Sequence, residues 1–363
     1  MLKFRIALTL IPGVGDINGK KLISHCGGVE AVFKEKKHVL MKIPGIGETV
    51  ANAITNNDIF ARVEEEMKFI EKYNINPLFY LDKAYPTRLK NCVDSPLMLY
   101  YMGNTDLNKA KVISIVGTRK ATEYGKDITK QIVNDLAAHD VLIVSGLAYG
   151  IDTCSHKAAV DANLPTVGIL AHGLDRLYPA LNKPLAEQML KNGGLLTEFR
   201  SKTNPDRENF PKRNRIIAGM ADAVIVVEAS RHGGALITAD IANSYNKDVF
   251  AVPGRLNDAL SEGCNHLIKT NKAVLIESAE DVIYILGWEK TGSIKKDIQQ
   301  KLFIEFTPDE KTIYDLIFEK KTMVIDEIIG KSNLNASKAA AALLNLEFEG
   351  ILKSLPGKVY VLA

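Results

Sequence analysis

The sequence predicts a doubly wound, mostly parallel α/β sheet with a helical domain before it and a winged helix after it. Three observations predict this. Seven short β-branched runs alternate with amphipathic helical stretches between Lys111 and Trp288. The pentapeptides IPGVG (Ile11 to Gly15) and IPGIG (Ile43 to Gly47) repeat a glycine turn between apolar helical patterns. The tail reads as three helices and a hairpin.

Residues 1–80 form the helical domain. The opening MLKFRIALTL sets Lys3 and Arg5 ahead of a short apolar stretch, but no small-residue cleavage site follows, so it reads as a buried helix. The two IPGxG turns give a paired helix-hairpin-helix signature and a compact unit of five helices. Their glycines permit tight turns whose amides open at a helix N-terminus, where a phosphate can be held without reading sequence. Asp16 and Glu48 stand beside those amides and repel a phosphate, so the pair serves equally well as a purely structural unit.

Residues 81–288 carry the sheet. Its strands are KVISIVG, VLIVSG, PTVGIL, GGLLTEF, DAVIVVEA, DVFAVPG and KAVLI, separated by patterns such as TEYGKDITKQIVNDLAAH and GALITADIANSYN. Apolar runs of this length between amphipathic helices are parallel strands buried on both faces. The segment 289–306 breaks both patterns and reads as a linker. Residues 307–363 give a helix from Pro308 to Lys320, a second short helix in MVIDEIIGKS, a third in NASKAAAALLNLEFEG capped by Asn335 or Ser337, and Pro356-Gly357 between two strands. A winged helix that reads DNA carries basic side chains on its third helix, and this one has Lys338 alone with two glutamates, which favours protein contact.

Composition narrows the function. The 46 Lys+Arg against 43 Asp+Glu leave +3, so any polyanion must be held by a local site and not by a global field. Cys26, Cys92, Cys154 and Cys264 lie far apart without a C-x-x-C pair, which suggests neither a disulfide framework nor a zinc cage. No apolar run approaches the ~20 residues that span a bilayer. A soluble, cytoplasmic protein with no membrane partner is expected.

In a doubly wound sheet, ligands sit at the carboxyl ends of the strands. The loops there are GTRKATEYG (Gly117 to Gly125), SGLAYGID (Ser145 to Asp152) and SRHGGALIT (Ser230 to Thr238), each with glycines, amides and a hydroxyl suited to cradling an anion. Before the DAVIVVEA strand, FPKRNRIIAG places Arg213 and Arg215 at the start of a short helix whose Ile216, Ile217 and Met220 pack on the sheet. Arginine forks two hydrogen bonds onto one phosphate, and Phe210 offers a face on which a base can stack. In the competing reading Asn209 and Arg215 brace loops and Phe210 fills core. The candidate DNA- and phosphate-binding residues are Gly117, Thr118, Arg119, Ser145, Gly146, Asn209, Phe210, Lys212, Arg213, Asn214, Arg215, Gly233, Gly234 and Thr238.

Other chemistry is set aside. No G-x-G-x-x-G follows the first strand, Ser145 is outside a G-x-S-x-G elbow, and Cys154 and His156 are two apart on a helix and cannot share a metal. Asp152 is expected to cap that helix. No catalytic residue, metal or cofactor is expected.

The blocks YPTRLKNCVDSPLMLYYMG, ISIVGTRKATEYG, VSGLAYGIDTCSHKAAV, LAHGLDRLYPALN, TEF, NFPKRNRIIAG, VVEA, GGALITADIA and VFAVPG run in order from Tyr85 to Gly254, within a stretch of likeness that reaches about Glu277. In this they resemble the DNA-processing protein A family (DprA/Smf). The resemblance implies a SAM-like helical domain, an extended Rossmann-like core that binds single-stranded DNA and dimerises, and delivery of incoming strands to the recombinase RecA in natural transformation, without turnover of a substrate. The family's G-S/T-R loop falls on Gly117, Thr118 and Arg119, and its F-P-x-R-N-R block on Phe210, Pro211, Arg213, Asn214 and Arg215. The S-G-L-A-x-G-I-D block is intact. One departure is RHGG, where His232 stands at a position that is more often serine. An alternative function is a nucleotide-processing phosphoribohydrolase of the lysine-decarboxylase-like sheet class, although HGGALITAD lacks the P-G-G-x-G-T pattern and has only Asp240 as a nearby acid.

Overall fold

The computed structural model describes residues 1–56, 59–288, 306–355 and 357–362, so the expected linker lies outside it except for Phe306. The chain divides into two compact units, 1–289 and 290–363.

The first unit opens with α1 (Leu2–Leu10), α2 (Asp16–Cys26), α3 (Val29–Lys34), α4 (Lys37–Leu40), α5 (Glu48–Thr55) and α6 (Phe60–Lys72). Six helices stand where five were expected, because residues 37–40 close a single turn of their own. Ile6, Ala7 and Leu8 of α1 are fully buried, as a core helix requires. Gly13 and Gly45 hold φ of +79° and +90°, the left-handed turn that favours glycine. Asp16 and Glu48 both sit in the first turn of the helix that follows; Glu48 is exposed and paired with Lys37 at 2.7 Å, while Asp16 is half-buried.

The sheet follows. Its strands are β1 (Asn76–Phe79), β2 (Met98–Gly103), β3 (Val112–Val116), β4 (Leu142–Ser145), β5 (Thr166–Ile169), β6 (Gly193–Thr197), β7 (Ala223–Val226), β8 (Asp248–Ala251) and β9 (Val274–Leu275), in the order β1-β2-β6-β5-β4-β3-β7-β8-β9. The seven runs read from sequence are β3 to β9, all parallel. The sheet also begins earlier than residue 81: β1 and β2 add two antiparallel strands at the β6 edge. Their residues alternate between two cores, Phe79, Met98 and Tyr100 packing with the helical unit and Leu78, Leu99 and Tyr101 with the sheet.

Helices α7 (Thr87–Lys90), α8 (Glu123–Leu136), α9 (Ile151–Asp161), α10 (Lys183–Met189), α11 (Asn209–Met220), α12 (Gly234–Ser244), α13 (Glu262–Lys269) and α14 (Ala279–Ile285) complete the unit. The chain order reverses between β3 and β7, which puts the switch point of the sheet at the loops after those strands.

The second unit has α15 (Pro308–Lys320), β10 (Thr322–Val324), α16 (Ile325–Ser332), α17 (Ala336–Phe348), β11 (Leu352–Leu355) and β12 (Val359–Leu362), with sheet order β10-β12-β11. Asn335 caps α17 by accepting from the Lys338 amide at 2.9 Å.

Candidate nucleic-acid interface

At the switch point a groove of about 630 Å³ opens on the C-terminal edge of the sheet. One wall is the loop after β3, with Gly117, Thr118 and Arg119. The opposite wall is the first turns of α11, with Phe210, Arg213 and Asn214. The loop after β7 and the start of α12 close it with Gly233, Gly234 and Thr238. The loops are held from within: Thr118 donates its amide to the Glu228 carbonyl at 2.7 Å, and Ile151 donates to the Thr118 carbonyl at 3.2 Å. Gly150 has φ +77° and lies so close to the Thr118 carbonyl that a Cβ would overlap it.

Arg119 is exposed and lies over the Phe210 ring, 5.1 Å from its centroid, while Tyr178 meets the same ring edge-on at 6.3 Å. Cation and aromatic face together suit a phosphate and a base. Asp152 is the one carboxylate in the lining, and no second acid converges with it on a water.

The basic cluster of α11 does not act as one wall. The helix begins at Asn209, so Arg213 sits in its second turn, and each residue turns the chain by about 100°. Arg213, 5% exposed, points under the floor, where Nη1 donates to the Ile169 carbonyl at 2.8 Å and to the Gly146 carbonyl. Burial lowers its pKa, with Asp152 alongside opposing the shift. Asp152 caps nothing in the usual way: α9 starts at Ile151, and the buried carboxylate accepts from the Ala148 amide at 3.3 Å and faces Arg213. His156, fully buried with its Nδ1 2.7 Å from the Thr166 hydroxyl, is held down at about 3 by burial first and then by the Arg213 charge.

Arg215 emerges two residues on, about 200° around, and leaves the groove altogether. It pairs with Glu198 and, at 3.1 Å, with Asp16 of α2, and donates to the Asp94 carbonyl. Asp16 also accepts from the Leu97 amide at 2.8 Å. The acid that stands beside the first IPGxG turn is therefore a hook onto the sheet domain. Three further expected residues lie elsewhere. Ser145 is fully buried and donates to the Ile115 carbonyl at 2.6 Å. Asn209 braces the Asn204 carbonyl at 3.1 Å. Lys212 is exposed but outside the lining. Gly146 touches only the adjoining recess, with Arg119, Phe210 and Arg213.

Sequence reading missed Arg207 and Tyr178, both in the lining. A signal for Arg207 emerges only in three dimensions. The chain's other arginines mostly hold a carboxylate or a carbonyl. Among the described residues Arg119, Arg207, Arg231 and Arg255 have no hydrogen-bond or ion-pair partner, and Arg119, Arg231 and Arg255 lie just beyond the ends of β3, β7 and β8. No group of His, Cys, Asp and Glu among the described residues is placed to hold a metal, and no described helix is long and apolar enough to cross a membrane.

Comparison with known proteins places this architecture. Residues 76–287 match the model of DNA recombination-mediator protein A, which begins where β1 begins, and residues 304–358 match the DprA winged helix domain. The chain is similar to Protein Smf of Synechocystis, 31% identical over 98% of this chain and 97% of that one, and to the DNA processing protein DprA of Bacillus subtilis, 38% identical over 65% and 80%. It also resembles the X-ray structure of DNA processing protein A from Streptococcus pneumoniae, 32% identical with TM-score 0.68 over 78% of this chain and 98% of that one. A DNA processing protein A from Helicobacter pylori, described for its single-stranded DNA binding mode, aligns at 30% identity with TM-score 0.53 over 58% and 95%. The chain belongs to the DNA recombination-mediator protein A family.

Proposed function

We propose that this chain binds single-stranded DNA without sequence preference in the switch-point groove, shields the strand, and loads RecA onto it during transformation and recombination, acting as a cytoplasmic homodimer and not as an enzyme. The observation that carries the reading is the unpaired Arg119 set over the Phe210 ring, with unpaired Arg207 in the same lining. A phosphate that meets such a guanidinium displaces no hydrogen-bond or ion-pair partner, only its contact with the Phe210 ring, and a base stacked on the aromatic face so freed is worth about 1–3 kcal/mol. The strand binding described for the Helicobacter pylori relative supports the same reading. Asp240, the acid a phosphoribohydrolase would need, is instead paired with Lys272 at 2.9 Å and lies outside the lining, so it lends that alternative no support.

The test is fluorescence anisotropy with oligo-dT and with duplex DNA over a salt series. The expected result is tighter binding to the single strand, with a steep salt slope that falls by about 1.4 in an Arg119→Gln, Arg207→Gln variant, at about 0.7 per phosphate contact. A folded parent that binds no oligonucleotide, or a double variant with an unchanged slope, overturns the groove. RecA filament growth on strands coated with a single-strand binding protein, with and without this chain, tests the loading step.

A further inference from the structure

A second cleft opens on the same edge of the sheet. It measures about 650 Å³ and lies between the start of α8 and the loop after β8, lined by Thr122, Tyr124, Pro253, Gly254, Arg255 and Asp258 with the buried Ser261. Tyr124 is 49% exposed yet tethered, its hydroxyl donating to the Pro253 carbonyl at 3.1 Å, so the ring is held as a wall. Arg255 is exposed and has no hydrogen-bond or ion-pair partner among the described residues. The loop that carries it is fixed, since Gly254 and Asn265 exchange hydrogen bonds of 3.2 and 3.0 Å. Asp258 is the one acid in the lining, and both its oxygens are engaged, by the Leu260 amide at 3.0 Å and the Ser261 hydroxyl at 3.2 Å.

The two openings share their walls. The loop after β3 lines the groove with Gly117 to Arg119 and the cleft with Thr122. The loop after β7, which carries the unpaired Arg231, is tied to the cleft's far side by Ala229, whose amide donates to Leu260 and whose carbonyl accepts from Gly263, each at 2.8 Å. The loop after β7 therefore borders the groove through Ala229 and Ser230 and is bonded to the segment that lines the cleft.

Resting on the groove reading, we propose that the cleft is a further nucleotide subsite for the same DNA strand, with a base stacked on Tyr124 and its phosphate forked onto Arg255. A fixed aromatic wall beside an unspent guanidinium is the arrangement that holds single strands without regard to sequence. Affinity then rises with strand length past what the groove alone accommodates.

The experiment uses the full chain and oligo-dT of about 4, 8 and 16 nucleotides, with thymidine monophosphate as a competitor. In a Tyr124→Leu, Arg255→Gln variant the shortest strand should bind as it does to the parent. The longest should weaken about tenfold, with a salt slope smaller by about 0.7. Tyr124→Phe, which keeps the ring, should retain the length gain. Equal affinities of parent and double variant at every length, with the thermal midpoint unchanged, overturn the subsite; so does a loss that is the same for short and long strands. Competition of the length gain by the mononucleotide would make the cleft a free-nucleotide site and overturn strand continuity. A groove variant that binds the short strand undiminished marks failure of the groove reading itself, and the subsite falls with it.

Discussion

Replacing Arg215 with methionine keeps most of the aliphatic stem and removes the guanidinium that joins α11 to α2. That group is 12% exposed and is shared by Glu198, Asp16 and the Asp94 carbonyl. Removing one partner of a buried ion pair costs about 3–5 kcal/mol when the remaining charge has no escape. Here part of it escapes. Burial already pushes the Glu198 carboxyl up to about 7, so it takes a proton near neutrality, and Asp16 at 29% exposure reaches water. The loss should fall at the lower end, about 3 kcal/mol. With a urea dependence of about 3 kcal/mol per molar, suited to a unit this large, the midpoint drops by about 1 M. Trp288, the single tryptophan, packs against the cluster formed by α8, α9 and the sheet, so its fluorescence follows the transition. Oligo-dT binding should keep the parent's salt slope. A midpoint within about 0.2 M of the parent, roughly the resolution of such a measurement, would refute the linkage, and a slope reduced by about 0.7 would mean that Arg215 touches a phosphate after all.

Other outcomes follow from the same geometry. Gly146→Ala sets a methyl against the Arg213 guanidinium and should cost about 1–3 kcal/mol of stability together with strand affinity, read by urea midpoint and anisotropy. Phe210→Ala should weaken oligo-dT binding by about 1–3 kcal/mol with an unchanged salt slope, since the ring carries no charge; an altered slope would show that Arg119 moved with it. Because the folded pKa of Glu198 is raised, its contribution to stability is complete below the unfolded value of about 4.5 and is lost as pH rises through about 7. The difference in midpoint between parent and Glu198→Gln should therefore shift toward the variant from pH 5 to 8. His156, held down at about 3, should keep a neutral-imidazole NMR signature from pH 5 to 8.

The sheet was legible because a parallel strand buried on both faces needs a continuous apolar run, and β3 to β8 each supply one; β9, expected to be buried like the rest, is a two-residue edge strand whose Val274 and Leu275 are exposed. β1 and β2 were not read as strands, although Met98 to Tyr101 are all buried, because Pro77 and the long connection between the strands, which carries α7, obscure a pairing that depends on β6, about 90 residues away. The three glycine-bearing loops could be placed at the strand ends by topology alone. What a linear window hid was rotation. Lys212, Arg213 and Arg215 look like one charge, but a helix that begins at Asn209 sends them to solvent, to the floor and to the neighbouring domain. Arg207 and Arg255 stayed inconspicuous because lack of a partner is a property of the folded chain.

The alternation along β2 has a consequence for autonomy. With Met98 and Tyr100 facing the helices and Leu99 and Tyr101 facing the sheet, a single strand belongs to two interiors at once. A chain begun at residue 81 would lose β1 and uncover a greasy flank where the helices had been, while Arg215 would find Asp16 gone. The helices at the front of this protein are thus less an appended reader of DNA than the missing side of the domain behind them.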